Sequence, residues 1–166
     1  MAYASAAELK TELQQGDVGS FTRDDALYDA LVEEASAAID RYCLRSFTVP
    51  TVATARTYEA SVCGSYVAGL DDIASTTDLA VAVDAADSGS FTALASSAWF
   101  AEVDNRTGMV TALRAVGSFP RSRVGRRTVQ VTARFGWPEV PGPVHRACII
   151  WARRLYTRKD SPAGVL

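Results

Sequence analysis

The sequence predicts an α+β fold in which two N-terminal helices and one C-terminal helix bracket an antiparallel β-rich insertion. Apolar residues recur at helical spacing before residue 47 and again after residue 142. Between about residues 51 and 136, short Val-, Thr- and Tyr-rich runs alternate with turn residues, which is typical of β-strands. The length of 166 residues suits a single domain, residues 1–166, that contains this insertion.

The N-terminal helices are indicated by capping residues and by spacing. Ser5 precedes Glu8 by three residues, the capping-box pattern, and Gly16 is expected to end this helix. Thr22 is the expected cap of the second helix, where acidic residues favour the positive end of the helix dipole. The predicted buried stripe of this second helix consists of Leu27, Leu31, Ala35, Ile39 and Tyr42.

Six strands are predicted in the insertion. They lie near "ATARTYEA", "SYVAGL", "LAVAVD", "AWFAEV", "MVTALR" and "RTVQVTARF". The segment "DNRTG" between two of them indicates a hairpin turn. The most basic loop, "GSFPRSRVGRR", directly precedes the last and strongest of these strands.

The final helix is predicted to be apolar on one side and basic on the other. Pro143 suits its first turn, where the missing N–H is not needed. We expect Trp151 and Leu155 to be core packing residues on a face shared with Val144, Ala147 and Cys148. Arg146 and Arg153 are expected opposite that face, with Arg154 and Arg158 beside it.

Charge is distributed unevenly along the chain. The first 112 residues carry 17 acidic and 6 basic side chains, whereas the last 54 carry 2 acidic and 11 basic ones. The halves therefore have net charges of −11 and +9, although the whole chain is at −2. This polarity suits nucleic acid, an acidic partner, or copies of the chain that meet acidic face to basic face. Internal ion pairs on a solvated surface would explain it equally well.

Motifs for catalysis, for cofactor binding and for metal binding are missing from the sequence. It has no Walker loop, no GxSxG elbow, no GxGxxG after a strand and no HExxH. The three cysteines lack CxxC spacing and are expected to be buried and reduced, and His145 with Cys148 is two ligands short of a zinc site. We therefore expect neither an enzyme nor a metal or other cofactor. Separately, the sequence shows no signal peptide and no membrane span, which predicts folding in a cytoplasm.

Direct nucleic-acid binding remains an alternative. Arginines of the basic loop, together with the final helix, are candidates for contact with DNA backbone or with a partner: Arg121, Arg123, Arg126 and Arg127. The low calculated pI of about 5.4 disfavours a dedicated nucleic-acid binder, whose domain pI typically exceeds ~9.

Three ordered segments resemble the head–tail connector proteins of long-tailed double-stranded DNA phages, also called head-completion or adaptor proteins. The first two are "SAAELKTEL" and "DDALYDALVEEASAAIDRYCLRSF". The third and most specific is "GWPEVPGPVHRACIIWARRLYTRKDSPAGVL". Together they frame nearly the whole chain, and the β-rich middle is its least diagnostic part.

The resemblance implies a non-catalytic virion protein at the head–tail neck, assembled in the cytoplasm of a bacterial host. Such proteins form rings, commonly of twelve copies, beneath the portal; the ring extends the channel for double-stranded DNA and docks the next head-completion or tail protein. A tail-terminator or stopper role is an alternative, as is a cytoplasmic nucleic-acid-binding accessory role.

A ring of identical subunits needs two different faces that meet. The candidate residues for the subunit or portal interface are charged side chains of the second and last helices: Asp24, Asp25, Glu33, Glu34, Arg146, Arg153, Arg154, Arg158 and Lys159.

Overall fold

The computed structural model of the protein describes residues 2–14 and 25–158. Its helices are α1 (Ala6–Gln14), α2 (Asp25–Cys43) and α3 (Gly142–Arg158). Between α2 and α3 lie seven strands and one short 3₁₀ turn, Ser96–Ala98. The strands are β1 (Thr54–Tyr58), β2 (Tyr66–Val67), β3 (Ala80–Val83), β4 (Thr92–Ala93), β5 (Trp99–Val103), β6 (Val110–Ala115) and β7 (Val129–Ala133). The predicted α+β class is confirmed.

The chain divides into two compact units. One contains residues 1–48 and 139–166, which include the three helices, and the other contains residues 49–138, which include all the strands named above. The prediction that residues 1–166 form a single domain stays a prediction. No helix in the described ranges has both the length and the apolar character needed to span a membrane.

In the helical unit, α1 and α3 pack on α2. The predicted capping box forms: the Glu8 amide donates to Ser5 Oγ at 3.2 Å, and the Ser5 amide donates to Glu8 Oε2 at 2.8 Å. The expected end of α1 at Gly16 and the expected cap at Thr22 lie outside the described residues. The buried face of α2 consists of Tyr28, Val32, Ala35, Ser36 and Ile39.

The predicted stripe of α2 is therefore only partly correct. Ala35 and Ile39 are buried as expected, but Leu27 and Leu31 are half-buried and Tyr42 is 85% exposed. The burial of Tyr28 and Val32, one position after the predicted leucines, rotates the true stripe around the helix. Tyr42 lies outside this rotated face in the last turn of α2.

The strand unit contains two antiparallel sheets, with the orders β1-β7-β3-β4 and β2-β6-β5. Strand β7 pairs with both β1 and β3, and it alternates buried Val129, Val131 and Ala133 with half-buried residues. Ile73, which is fully buried, forms backbone bridges to Val110 of β6 and to Phe135, two residues after β7, so it links β6 of one sheet to the segment that follows β7 of the other. All six predicted strands are confirmed; the two-residue β4 was not predicted.

The predicted hairpin turn at "DNRTG" is also confirmed. It connects β5 to β6, whose pairing ends at Val103 opposite Val110. Asp104 Oδ1 accepts from the Arg106 amide at 2.8 Å, and the Asp104 carbonyl accepts from the Gly108 amide at 2.8 Å. Gly108 has a φ of +70°, which explains why glycine occupies this position.

Candidate interaction surfaces

The buried face of α3 is formed by Cys148, Ile149 and Ala152. Cys148 Sγ lies 3.4 Å from Ser36 Oγ of α2 and 3.8 Å from the Val32 carbonyl. Burial raises the pKa of the Cys148 thiol, so this cysteine is a protonated packing residue at neutral pH.

The apolar face predicted for α3 is wrong in part. Cys148 is buried, and Val144 and Leu155 are half-buried, but Ala147 is exposed and Trp151 is 40% exposed. Trp151 is therefore not the core packing residue that the sequence predicted. At ~100° per residue, the observed buried face lies roughly a quarter turn away from the predicted one. The side of the helix that carries Arg146 and Arg153 lies against α1.

Polar contacts with α1 lie on that side of α3. Arg146 forms a two-pronged contact with Glu12, at 2.9 and 3.1 Å, and Arg153 approaches the same carboxylate at 3.5 Å. His145 Nε2 lies 3.1 Å from Glu8 Oε1. The hydrogen bond from Arg146 lowers the pKa of Glu12, which keeps this carboxylate ionised. Two of the arginines proposed as interface residues are thus already paired within the chain.

The opposite edge of α3 is exposed and combines apolar with cationic side chains. An open groove of about 390 Å³ runs along it. We call this surface the α3 outer face. It consists of Ala147, Ile150, Trp151, Arg154, Leu155 and Arg158.

The acidic candidates of α2 differ in their environments. Asp25 forms an ion pair with Lys10 of α1. Glu33 and Glu34 are exposed, and so is Asp29, which is not among the predicted interface residues. The candidates Asp24 and Lys159 lie outside the described residues.

The four candidate arginines of the basic loop are exposed residues of the strand unit. The loop is held by Asp87, whose Oδ2 accepts from Ser122 Oγ at 2.7 Å and from the Arg123 amide at 3.3 Å. Arg126 Nη1 donates to the Asp87 carbonyl at 3.3 Å, and Arg127 Nη1 donates to the Thr57 carbonyl at 3.3 Å. Arg121 and Arg123 have no side-chain partner within the described part of the chain.

Titratable clusters of the metal-binding kind are missing from the described ranges. Within residues 2–14 and 25–158, no group of three His, Cys, Asp or Glu side chains is arranged to hold a metal ion.

The expectation that all cysteines are buried is wrong, because Cys43 is half-buried and Cys63 is exposed. Nothing in the sequence around Cys63 distinguishes it except its flanking serines, Ser61 and Ser65.

Comparison with known proteins identifies a fold but no family. No family model matches the sequence. No curated protein matches it either. The fold is similar to that of a chain in the solved neck of an empty GTA particle, which was computed with C6 symmetry. The TM-score is 0.62 at 20% identity, and the match covers 97% of this chain and 81% of that chain. At this identity the similarity shows a common fold.

Proposed function

We propose that this chain is a structural subunit of the neck of a phage-like particle, where it forms a ring adaptor between portal and tail. The observation that carries the proposal is the fold similarity to a neck chain over 97% of the sequence. The segments that resemble head–tail connectors support it independently, because that resemblance lies in their residues and not in the fold. The localisation that follows is the virion neck, with assembly in the host cytoplasm.

The function proposed is geometric and not catalytic. A ring subunit extends a channel for double-stranded DNA and presents a repeated docking surface, so many weak contacts act together. The C6 symmetry of the neighbouring neck supports a copy number that is a multiple of six, and twelve copies satisfy this condition. The partners we propose are the portal on one side and the next head-completion or tail protein on the other.

Among the alternatives, the helices that frame the strand unit favour the adaptor over a tail-terminator or stopper, for which a β-dominated fold is expected. A nucleic-acid-binding accessory role has one specific observation in its favour. Arg121 and Arg123 of the basic loop are exposed and their guanidinium groups are unpaired within the described residues.

The adaptor proposal is tested by the mass of the full-length protein in solution. Native mass spectrometry is performed on the protein alone and after mixing with its cognate portal ring. We expect a discrete ring, about 212 kDa for twelve copies of the 17.7 kDa chain, or a stoichiometric complex with the portal. A protein that remains monomeric in both samples contradicts the proposal.

A further inference from the structure

The α3 outer face presents apolar side chains that residues 2–14 and 25–158 leave exposed. Ile150 and Trp151 are each 40% exposed, and both lie along the groove described above. Tryptophan on an exposed helix face beside arginine is the composition that is enriched at the energetic centre of protein interfaces. The composition of this face therefore points to a macromolecular partner.

The two arginines on this face differ from the other two on α3 in having no ion-pair partner among the described residues. Arg146 and Arg153 are engaged by Glu12. In the ranges that the structure describes, Arg154 and Arg158 form no ion pair, and both are exposed. Among the described residues, the arginines on the α1 side of the helix are therefore paired with a carboxylate, and those beside Trp151 are not.

The complementary charge is found on α2 of the same unit. Asp29, Glu33 and Glu34 are exposed there and have no ion pair within residues 2–14 and 25–158. Short exposed side chains lie between these acids, which allows a second helix to approach closely. We call this surface the α2 outer face; it consists of Ala26, Asp29, Ala30, Glu33, Glu34 and Ala37.

We propose that the α3 outer face of one copy docks on the α2 outer face of a second copy of this chain. In this contact Arg154 and Arg158 meet Asp29 and Glu33, while Trp151 packs on the alanines between the acids. Because the two faces are different surfaces of one unit, the contact is heterologous. Repeated application of such a contact generates a ring when the rotation between copies closes, as the proposed function requires. This inference rests on the proposed function, and it names the contact that closes the ring.

Charge complementarity selects a second copy as the occupant of the groove. Double-stranded DNA would neutralise the arginines but would leave Ile150 and Trp151 exposed, since DNA presents phosphates and not apolar surface to an approaching helix. An acidic helix with short side chains offers carboxylates to the arginines and also a close apolar surface to Ile150 and Trp151.

The test uses full-length protein and reciprocal charge reversal. Arg154→Glu with Arg158→Glu, and separately Asp29→Lys with Glu33→Lys, are each expected to abolish the ring in native mass spectrometry. The chain that carries all four substitutions is expected to form the ring again, because the charges are complementary once more. Trp151→Ala is expected to raise the concentration needed for association by roughly thirtyfold or more.

The control is Arg121→Glu with Arg123→Glu, which changes the net charge by the same amount as the α3 pair and is expected to leave the ring unchanged. Circular dichroism verifies that each variant is folded; all substituted side chains are exposed. If the Arg154→Glu/Arg158→Glu variant forms the same ring as the wild-type protein, this inference is overturned but the adaptor function is not. Failure of the fourfold variant to restore the ring overturns the assignment of α2 as the occupant. A wild-type chain that is monomeric alone and with portal overturns both.

Discussion

Cys63 lies in an exposed turn before β2, between two serine hydroxyls. Its Sγ is 2.8 Å from Ser65 Oγ and 3.6 Å from Ser61 Oγ. These hydrogen bonds, chiefly the one from Ser65, lower the pKa of the Cys63 thiol to about 7. Gly64 shapes the turn: its φ is +70°, and a Cβ at this position would come within 2.7 Å of the Phe119 carbonyl oxygen.

This geometry predicts selective thiol chemistry. At neutral pH about half of Cys63 is thiolate, so we expect it to react with iodoacetamide much faster than buried Cys148. The rate constant for Cys63 is expected to rise with pH to a midpoint near 7, and Ser65→Ala is expected to move that midpoint upward. Peptide mass mapping of protein alkylated at several pH values measures both. A midpoint that Ser65→Ala leaves in place would show that this hydroxyl does not stabilise the thiolate.

At the scale of elements, the start of α1 depends on the reciprocal bonds between Ser5 and Glu8. Ser5→Ala removes the acceptor for the Glu8 amide and is expected to reduce the free energy of unfolding by about 1 kcal/mol. Thr11→Ala is the control, because the Thr11 hydroxyl only donates to the Ala7 carbonyl within the same exposed helix. Denaturant titration followed by circular dichroism measures both variants. Equal stabilities for the two variants would contradict the cap's contribution.

The capping box also predicts a pH dependence. The hydrogen bond from the Ser5 amide lowers the pKa of Glu8 in the folded state. The stabilisation by this carboxylate is therefore complete above the unfolded-state pKa of about 4.3 and is lost as the pH falls through the lower folded-state pKa. We expect Glu8→Gln to destabilise the protein at pH 7 and to have less effect near pH 3, measured by thermal unfolding.

Local signals predicted the elements well and the faces of the helices less well. Caps, turn residues and alternation depend on neighbours in the sequence, so the helices, six strands and the "DNRTG" turn were found. The short β4 carries no periodic pattern and was missed. The orientation of α3 places His145 and Arg146 against Glu8 and Glu12 of α1, more than 130 residues away in the sequence, and Cys148 against Ser36 of α2. Nothing in the local sequence of α3 encodes these contacts, and for this reason the prediction that Trp151 belongs to the core is wrong.

At the scale of the whole molecule, folding redistributes the charge polarity of the sequence. The helical unit joins the acidic N-terminal segment with the basic last helix, and its 11 acidic and 9 basic residues leave a net charge of −2. The strand unit has 8 of each and is neutral. Neither unit is therefore a basic body of the kind that binds nucleic acid through its net field. The uneven charge of the folded chain is therefore local, and it lies on two oppositely charged helix faces and one basic loop.

This distribution predicts weak and strongly salt-dependent contact with DNA. Even if all four arginines of the basic loop met phosphates, the affinity would fall by about a hundredfold between 50 and 200 mM salt. A ring contact that buries Trp151 is expected to persist over the same range, because apolar burial is not screened. Fluorescence anisotropy with a labelled duplex and native mass measurements are therefore performed in parallel at both salt concentrations.

Matched single substitutions locate the DNA contact. Arg123→Glu is expected to weaken binding at 50 mM salt, whereas Arg106→Glu, the same change of charge in the exposed β5–β6 turn, is expected to have a smaller effect. Neither is expected to change the mass of the ring. Tight DNA binding at 200 mM salt that Arg123→Glu abolishes, in a chain that never assembles, would instead favour the accessory nucleic-acid role. The adaptor proposal requires that the ring persist at 200 mM salt while DNA binding is lost. A ring that lets DNA pass through its channel must not bind that DNA tightly.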